Sequence, residues 1–302
     1  MASSLPPQAV FEPAPSPYPS GRLYEGQLLG SRCRWWVYGQ EEADPLLLIH
    51  GFRGDHHGLE LIAAGLADYC LYIPDLPSFG RSEPLEGIQH SISSYASWIL
   101  AFIDQVIRQP VHLVGHSFGS IISSYAALAR PQLVSQLSLI NPICQPALEG
   151  DQRLASLLAQ AYYGLGALLP GRLGFVLLRS PLITRLTSEF MMKTPDPALR
   201  SFINGQHLAY FGAFSNRQAL LETYQASISH TAADYTPALP QPVQLLAAER
   251  DDLGSLDLQQ KMASQLQLGR LDIIPEVGHL IHYETPLRAA ALIADFHQEY
   301  SS

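Results

Sequence analysis

The five residues Gly115-His116-Ser117-Phe118-Gly119 constrain this chain more than any other stretch. They follow a short apolar run, Val111-His112-Leu113-Val114, and precede a helix-compatible segment from Ile121 to Ala129. A Gly-x-Ser-x-Gly pattern between a strand and a helix is a nucleophile elbow. The turn is so tight that only glycine fits beside the serine without a Cβ clash. It lifts the hydroxyl above the sheet and aims the N-terminus of the next helix at it. The pattern alone is weak, and its flanks and three distant segments give it weight.

Those flanks belong to a regular alternation. A strand pair is predicted from Leu23 to Tyr38, and the continuous apolar run Leu46-Leu47-Leu48-Ile49 reads as a strand buried on both faces of a parallel sheet. A helix over about 58–67 leads to the strand Tyr69-Cys70-Leu71-Tyr72-Ile73. An amphipathic helix from Ser93 to Arg108 is capped by serines and stopped before Pro110. After the elbow helix comes the strand Leu137-Ser138-Leu139-Ile140. The fold class expected is α/β, a doubly wound, mostly parallel sheet. Between 145 and 240 no strand pattern appears; apolar residues recur at helical spacing, and Pro170, Gly171, Pro181, Pro195 and Pro197 cut the region into four or five helices. Strands resume at Val243-Gln244-Leu245-Leu246-Ala247 and Leu271-Asp272-Ile273-Ile274, and a last helix runs from Pro286 to about Tyr300. The expected organisation is an arm over 1–20, a core over 21–144, a helical cap over 145–240 and the rest of the core over 241–302.

Composition narrows the function classes. Apolar residues make up 47% of the 302 and charged residues only 15%, as a large buried core requires. A net charge of −9 without a basic run disfavours nucleic acid or an anionic membrane as partner. No apolar stretch is long enough to span a bilayer. Cys33, Cys70 and Cys144 are too few and too scattered for a disulfide framework, which points to a reducing compartment. Residues 1–20 are rich in proline and lack a basic, apolar leader, so a disordered arm and a cytoplasmic location are expected. A homodimer is left open.

A serine is a poor nucleophile at neutral pH and needs a histidine base, which in turn needs a carboxylate to fix its tautomer. Gly278-His279 stands just past the final strand, and Arg250-Asp251-Asp252 directly follows the Val243 strand. The order Ser117, Asp251, His279 is that of the elbow enzymes, with each residue at a strand end. Oxyanion donors are expected from the backbone N–H of Phe118 and from that of Phe52 in His50-Gly51-Phe52-Arg53-Gly54.

These segments, with Pro74-Asp75-Leu76-Pro77-Ser78-Phe79-Gly80-Arg81-Ser82 and Glu284-Thr285-Pro286, resemble a lidded serine hydrolase of the α/β-hydrolase superfamily over residues 21 to 300. Two departures stand out. Ser120 occupies a position where a second glycine is often seen, and Asn141, not an acid, follows the preceding strand, which removes an alternative acid position. The resemblance implies cleavage of a carboxylic ester, thioester or lactone through an acyl-enzyme, with no cofactor and no metal. It leaves open hydrolysis of a carbon–carbon bond in a diketone-type ring-cleavage product, acyl transfer or perhydrolysis, and a ligand receptor with little turnover. Relatives that cleave carbon–carbon bonds usually carry more glycines where this chain has Phe52-Arg53.

Several residues have plainer readings beside these. Asp252 is the rival of Asp251 and otherwise a solvated residue or an ion-pair partner. Arg53 reads as a solvated loop arginine, or as a contact for an anionic substrate beside the oxyanion hole. His50 reads as structural, Asp75 as a loop tie, and His282 and Glu284 as parts of the turn and cap into the last helix. His56, His57 and Glu60 invite a metal, but adjacent histidines should point apart and no third ligand has suitable spacing. Among the cap aromatics, Tyr210, Phe211 and Phe214 are the expected pocket lining for a small, largely apolar substrate.

Overall fold

The structure is a computed structural model that describes residues 20–146 and 153–301. The arm expected over 1–20 thus falls almost entirely outside the described residues. In chain order the elements are β1 (Arg22–Leu28), β2 (Ser31–Gly39), β3 (Pro45–Ile49), α1 (Glu60–Ala64), β4 (Cys70–Pro74), α2 (Ile92–Phe102), β5 (Val111–His116), α3 (Phe118–Ala129) and β6 (Val134–Ile140). Five helices follow, α4 (Arg153–Leu168), α5 (Gly171–Leu178), α6 (Pro181–Met191), α7 (Pro197–Tyr210) and α8 (Arg217–Ser229). The chain then returns to β7 (Val243–Ala248), α9 (Leu256–Ser264), β8 (Gly269–Ile274), α10 (Ile281–Glu284) and α11 (Pro286–Tyr300).

The eight strands form one sheet in the order β1-β2-β4-β3-β5-β6-β7-β8. From β4 to β8 all neighbours are parallel, while β1 and β2 join antiparallel at one edge. Side chains of β3 alternate between two cores. Leu47 and Ile49 enter one with Tyr95, Trp98 and Ile121 of α2 and α3; Leu46 and Leu48 enter the other with Ile62 of α1 and Ile293 of α11. All four are fully buried, each worth about 1.5–3 kcal/mol of apolar transfer. That explains why this run carries no alternation: both faces of the strand are inside.

Local chemistry sets the helix ends. α2 is capped by Ser91, whose Oγ accepts from Ser94 N while Ser94 Oγ accepts from Ser91 N, so its cap lies two residues before the expected start. Its last turn widens into a π-turn over 103–107, which ends at Arg108 with φ of 64°. The chain runs from β3 to β4 on one side and then crosses to β5 on the other. The reversal leaves a crevice at the C-terminal ends of β3 and β5, where the loop after β3 meets the turn after β5.

Candidate active site

Ser117 sits at this crevice with φ of 54° and ψ of −118°, a sparsely populated conformation costing about 1–3 kcal/mol. The surrounding chain enforces it. Ser117 N donates to Ile140 O of β6 (3.0 Å), and Ser120 Oγ donates back to Ser117 O (2.5 Å). Ser120 Oγ also accepts from Ile143 N (3.2 Å), so the residue in place of a second glycine ties the elbow to the chain beyond β6. Both glycines of the pattern are sterically required. A Cβ on Gly115 would lie 2.5 Å from Gly119 O, and one on Gly119 would lie 2.4 Å from Ile49 O.

The loops after β7 and β8 bring two more of the expected residues to Ser117. Ser117 Oγ donates to His279 Nε2 (2.9 Å), and His279 Nδ1 donates to Asp251, 3.0 Å from each carboxylate oxygen. Asp251 and His279 are buried, and the carboxylate also accepts from Leu253 N (2.9 Å). Asp252 turns away to pair with Lys193. Asn141 joins the two loops: Ala248 N donates to its Oδ1 (2.9 Å) and its Nδ2 donates to Gly278 O (3.1 Å). His116 is buried beside the serine and donates from Nε2 to His279 O (3.3 Å). Burial and the neighbouring His279 push its pKa down to about 3, so it adds no charge near Ser117 at neutral pH.

The loop after β3 is held by His50, whose Nδ1 donates to Gly51 O (2.8 Å) and whose Nε2 accepts from Leu76 N (2.9 Å). Neither Phe52 N–H nor Phe118 N–H has an acceptor among the described residues. Arg53 corrects the expectation of a solvated side chain. It is 7% exposed, has φ of 62°, and donates through Nε to Phe211 O (3.0 Å), through Nη2 to Leu178 O (2.8 Å) and through Nη1 to Tyr163 Oη (3.4 Å). The arginine borders the cavity described below, but as a strut joining the loop after β3 to the ends of α5 and α7.

A cavity of about 570 Å³ opens over Ser117 and His279, lined by Phe52, by Tyr162 and Tyr163 of α4, by Met191 of α6 and by Tyr224 of α8. Of the three cap aromatics singled out above, Tyr210 and Phe211 border it, Phe211 at the end of α7. Phe214 does not. It lies beyond the end of α7 at Tyr210, is 1% exposed, pairs with Phe79 in an isolated β-bridge and packs edge-on to Phe175. His56 and His57 do not diverge either. Their rings lie 3.8 Å apart, and ligand atoms of Asp55, His56 and His57 fall within 4.8 Å of one another. Both Nδ1 atoms are held by carboxylates, His56 by Asp75 (2.8 Å) and His57 by Asp55 (3.0 Å).

Glu284 has a part that its sequence position does not suggest. Its buried carboxylate accepts from Lys193 N (2.6 Å) and Thr194 N (2.7 Å), between α6 and α7, and from Gly278 N (3.1 Å), beside His279. Burial raises its pKa against the pull of these three donors. The segment Glu284-Thr285-Pro286 marks the residue, but its partners lie on a distant stretch that no spacing rule reaches.

Known proteins resemble this chain to different extents. The dihydrolipoyllysine-residue acetyltransferase component of an acetoin cleaving system from Pseudomonas putida is 35% identical over 129 residues, 42% of this chain and 33% of that protein. The chain thus spans about a third of that relative's length. The uncharacterized hydrolase YugF of Bacillus subtilis is 23% identical over 274 residues, 86% of this chain and 93% of that protein. Among solved structures, a thermophilic esterase from Thermogutta terrifontis superposes with a TM-score of 0.74 over 93% of this chain and 100% of that one, at 18% identity. A sequence model of the alpha/beta hydrolase family matches residues 46–292. The chain belongs to the alpha/beta hydrolase family.

Proposed function

We propose that the protein is a serine hydrolase of carboxylic esters, with Ser117 as nucleophile, His279 as general base and acid, and Asp251 as the group that orients the histidine. The observation that carries this reading is the relay Asp251–His279–Ser117, with hydrogen bonds of 3.0 and 2.9 Å, at the floor of an apolar cavity. With Nδ1–H held by Asp251, Nε2 is free to take the serine proton as Oγ attacks the carbonyl carbon. The oxyanion then falls to the N–H groups of Phe52 and Phe118, which have no other acceptor among the described residues. His279 returns the proton to the leaving alcohol, and water, activated by the same nitrogen, frees the acid from Ser117.

Helices α4 to α8 act in this reading as a cap, and the aromatic lining around Phe52 and Tyr224 suits a small or medium acyl or aromatic ester enclosed on several sides. A pimeloyl-[acyl-carrier protein] methyl ester esterase of Aeromonas salmonicida, 30% identical over 49% of this chain, is consistent with ester chemistry. The test is labelling of Ser117 by a fluorophosphonate probe, followed by turnover of p-nitrophenyl esters of graded acyl length. Labelling confined to Ser117, with an optimum at short or medium acyl chains, is expected. No labelling and no turnover with any ester would sink the reading in favour of a ligand receptor.

A further inference from the structure

Three consecutive helices expose apolar side chains where solvent-facing polar residues are the rule. Leu168 of α4 is 86% exposed, Val176 of α5 69% and Leu182 of α6 66%. Leu165, Leu173 and Leu186 repeat the pattern at helical spacing, and nine of the nineteen exposed large apolar residues among those described fall within 157–190. In α6 the usual polarity is inverted. Thr184 and Ser188 are buried, and Leu182, Leu186 and Phe190 face out. Patches of this kind mark an interaction surface.

Charge identifies the occupant. Residues 153–191 contain four arginines and one acid, Glu189, while the rest of the chain carries 14 basic and 26 acidic residues. Glu189 is already engaged by Arg200 and Asn204. Arg172 and Arg185 are exposed beside the apolar residues and form no ion pair among the described residues. The net negative charge thus conceals one apolar face with a positive border. A second copy presenting the same face would meet it with arginines of the same sign, whereas anionic phospholipid satisfies both its apolar and its cationic parts. The face also continues into the cavity: Leu158, Leu186 and Phe190 are each exposed and each line it.

We propose that the outer face of α4, α5 and α6 docks on the surface of an anionic phospholipid bilayer and seats the cavity mouth against the leaflet. The helices lie in the interface and do not span it. Among the described residues no helix is long and apolar enough to cross a membrane. Docking itself does not depend on the hydrolase reading. Taken together with it, docking means that an amphiphilic ester passes from lipid to Ser117 without crossing bulk water.

Flotation with vesicles tests this, and needs no turnover. At low salt the wild type should float with vesicles of equal parts phosphatidylcholine and phosphatidylglycerol, float far less with phosphatidylcholine alone, and be released by salt. Arg172→Gln with Arg185→Gln should lower partitioning about fivefold per arginine. Leu168→Ser, Val176→Ser and Leu182→Ser together should lower it at least about tenfold. Both variants should keep the wild-type unfolding midpoint and turnover of a water-soluble ester. Flotation of the triple variant equal to wild type, equal flotation with the two lipids, or no flotation at low salt would overturn the proposal. So would a wild-type dimer that the triple variant dissolves while neither binds vesicles, since the face would then belong to a second copy.

Discussion

Replacing Arg53 by alanine removes the strut between the loop after β3 and the ends of α5 and α7, and the structure sets the size of the effect. Two hydrogen bonds from a charged donor to backbone carbonyls, at 2.8 and 3.0 Å, are lost. At about 1.5–3 kcal/mol each, their gross loss is about 3–6 kcal/mol. Part is offset because a guanidinium no longer has to be desolvated. The expected net destabilisation is about 3 kcal/mol, or about 1 M in urea midpoint for a chain whose slope is about 3 kcal/mol per M. Arg53→Lys keeps the charge but not the fork, so it should fall between wild type and alanine. Arg53→Gly should be milder than alanine by about 1 kcal/mol, since φ of 62° no longer strains a side chain. The neighbouring amide of Phe52 loses its anchor at the same time, so kcat should fall by up to about 10²–10³ with little change in KM. Urea titration and steady-state kinetics on one soluble ester read both quantities. An alanine variant with the wild-type midpoint and kcat would refute the reasoning, and Arg53 would then be a passive filler.

Four further outcomes are expected. Ser117→Ala should remain folded and lose about 10⁶ in turnover, which single-turnover assays on purified protein can measure. Asp251→Asn should be far more damaging than Asp252→Asn in kcat, because Asp251 holds the imidazole tautomer while Asp252 only pairs with Lys193; equal effects would reverse the ranking. Stability should fall on acidification. His112, His116 and His207 have pKa values pushed down to about 3 chiefly by burial, so the native state binds fewer protons than the unfolded chain once pH drops below 6.5. The loss should approach about 1.4 kcal/mol per pH unit for each histidine between about pH 6 and pH 4, and a flat urea midpoint over that range would contradict it. Exhaustive chelation should leave ester hydrolysis unchanged, since both Nδ1 atoms of the His56–His57 pair are already committed to carboxylates; activity lost to chelator and restored by zinc would show otherwise.

What the sequence made legible was what the backbone itself dictates. Gly115 and Gly119 are readable because a Cβ at either would strike backbone within the elbow or at the end of β3, a constraint that is local and chemical. The sheet was readable because β3 and β7 are buried on both faces and so lose their alternation. The convergence of Ser117, Asp251 and His279 followed from strand ends gathering at one edge of a parallel sheet. The burial of Arg53 is not legible because its partners Tyr163, Leu178 and Phe211 lie 110 or more residues away, in a region whose placement no periodicity reveals. The burial of Phe214 is not legible because an aromatic in a helical region looks the same whether it lines a cavity or packs beneath it, as Phe214 does against Phe79 and Phe175. The exposure of the leucines of α4 to α6 is hidden in the sequence for a related reason: an apolar stripe looks the same whether it faces a core or the solvent.

Glu284 has a consequence for how the molecule opens. One buried carboxylate serves the adjacent amides of Lys193 and Thr194 and, more than 80 residues further along the chain, that of Gly278. None of the three can lose its acceptor while the carboxylate stays in place and both segments keep their positions, so the loop that carries His279 and the connection from α6 to α7 form one cooperative unit. Their amide protons should exchange with solvent at a common rate under native conditions, slower than those of the exposed turns on either side. A substitution that loosens α6 would therefore reach the histidine without touching it, and would register as a speeding of exchange at Gly278.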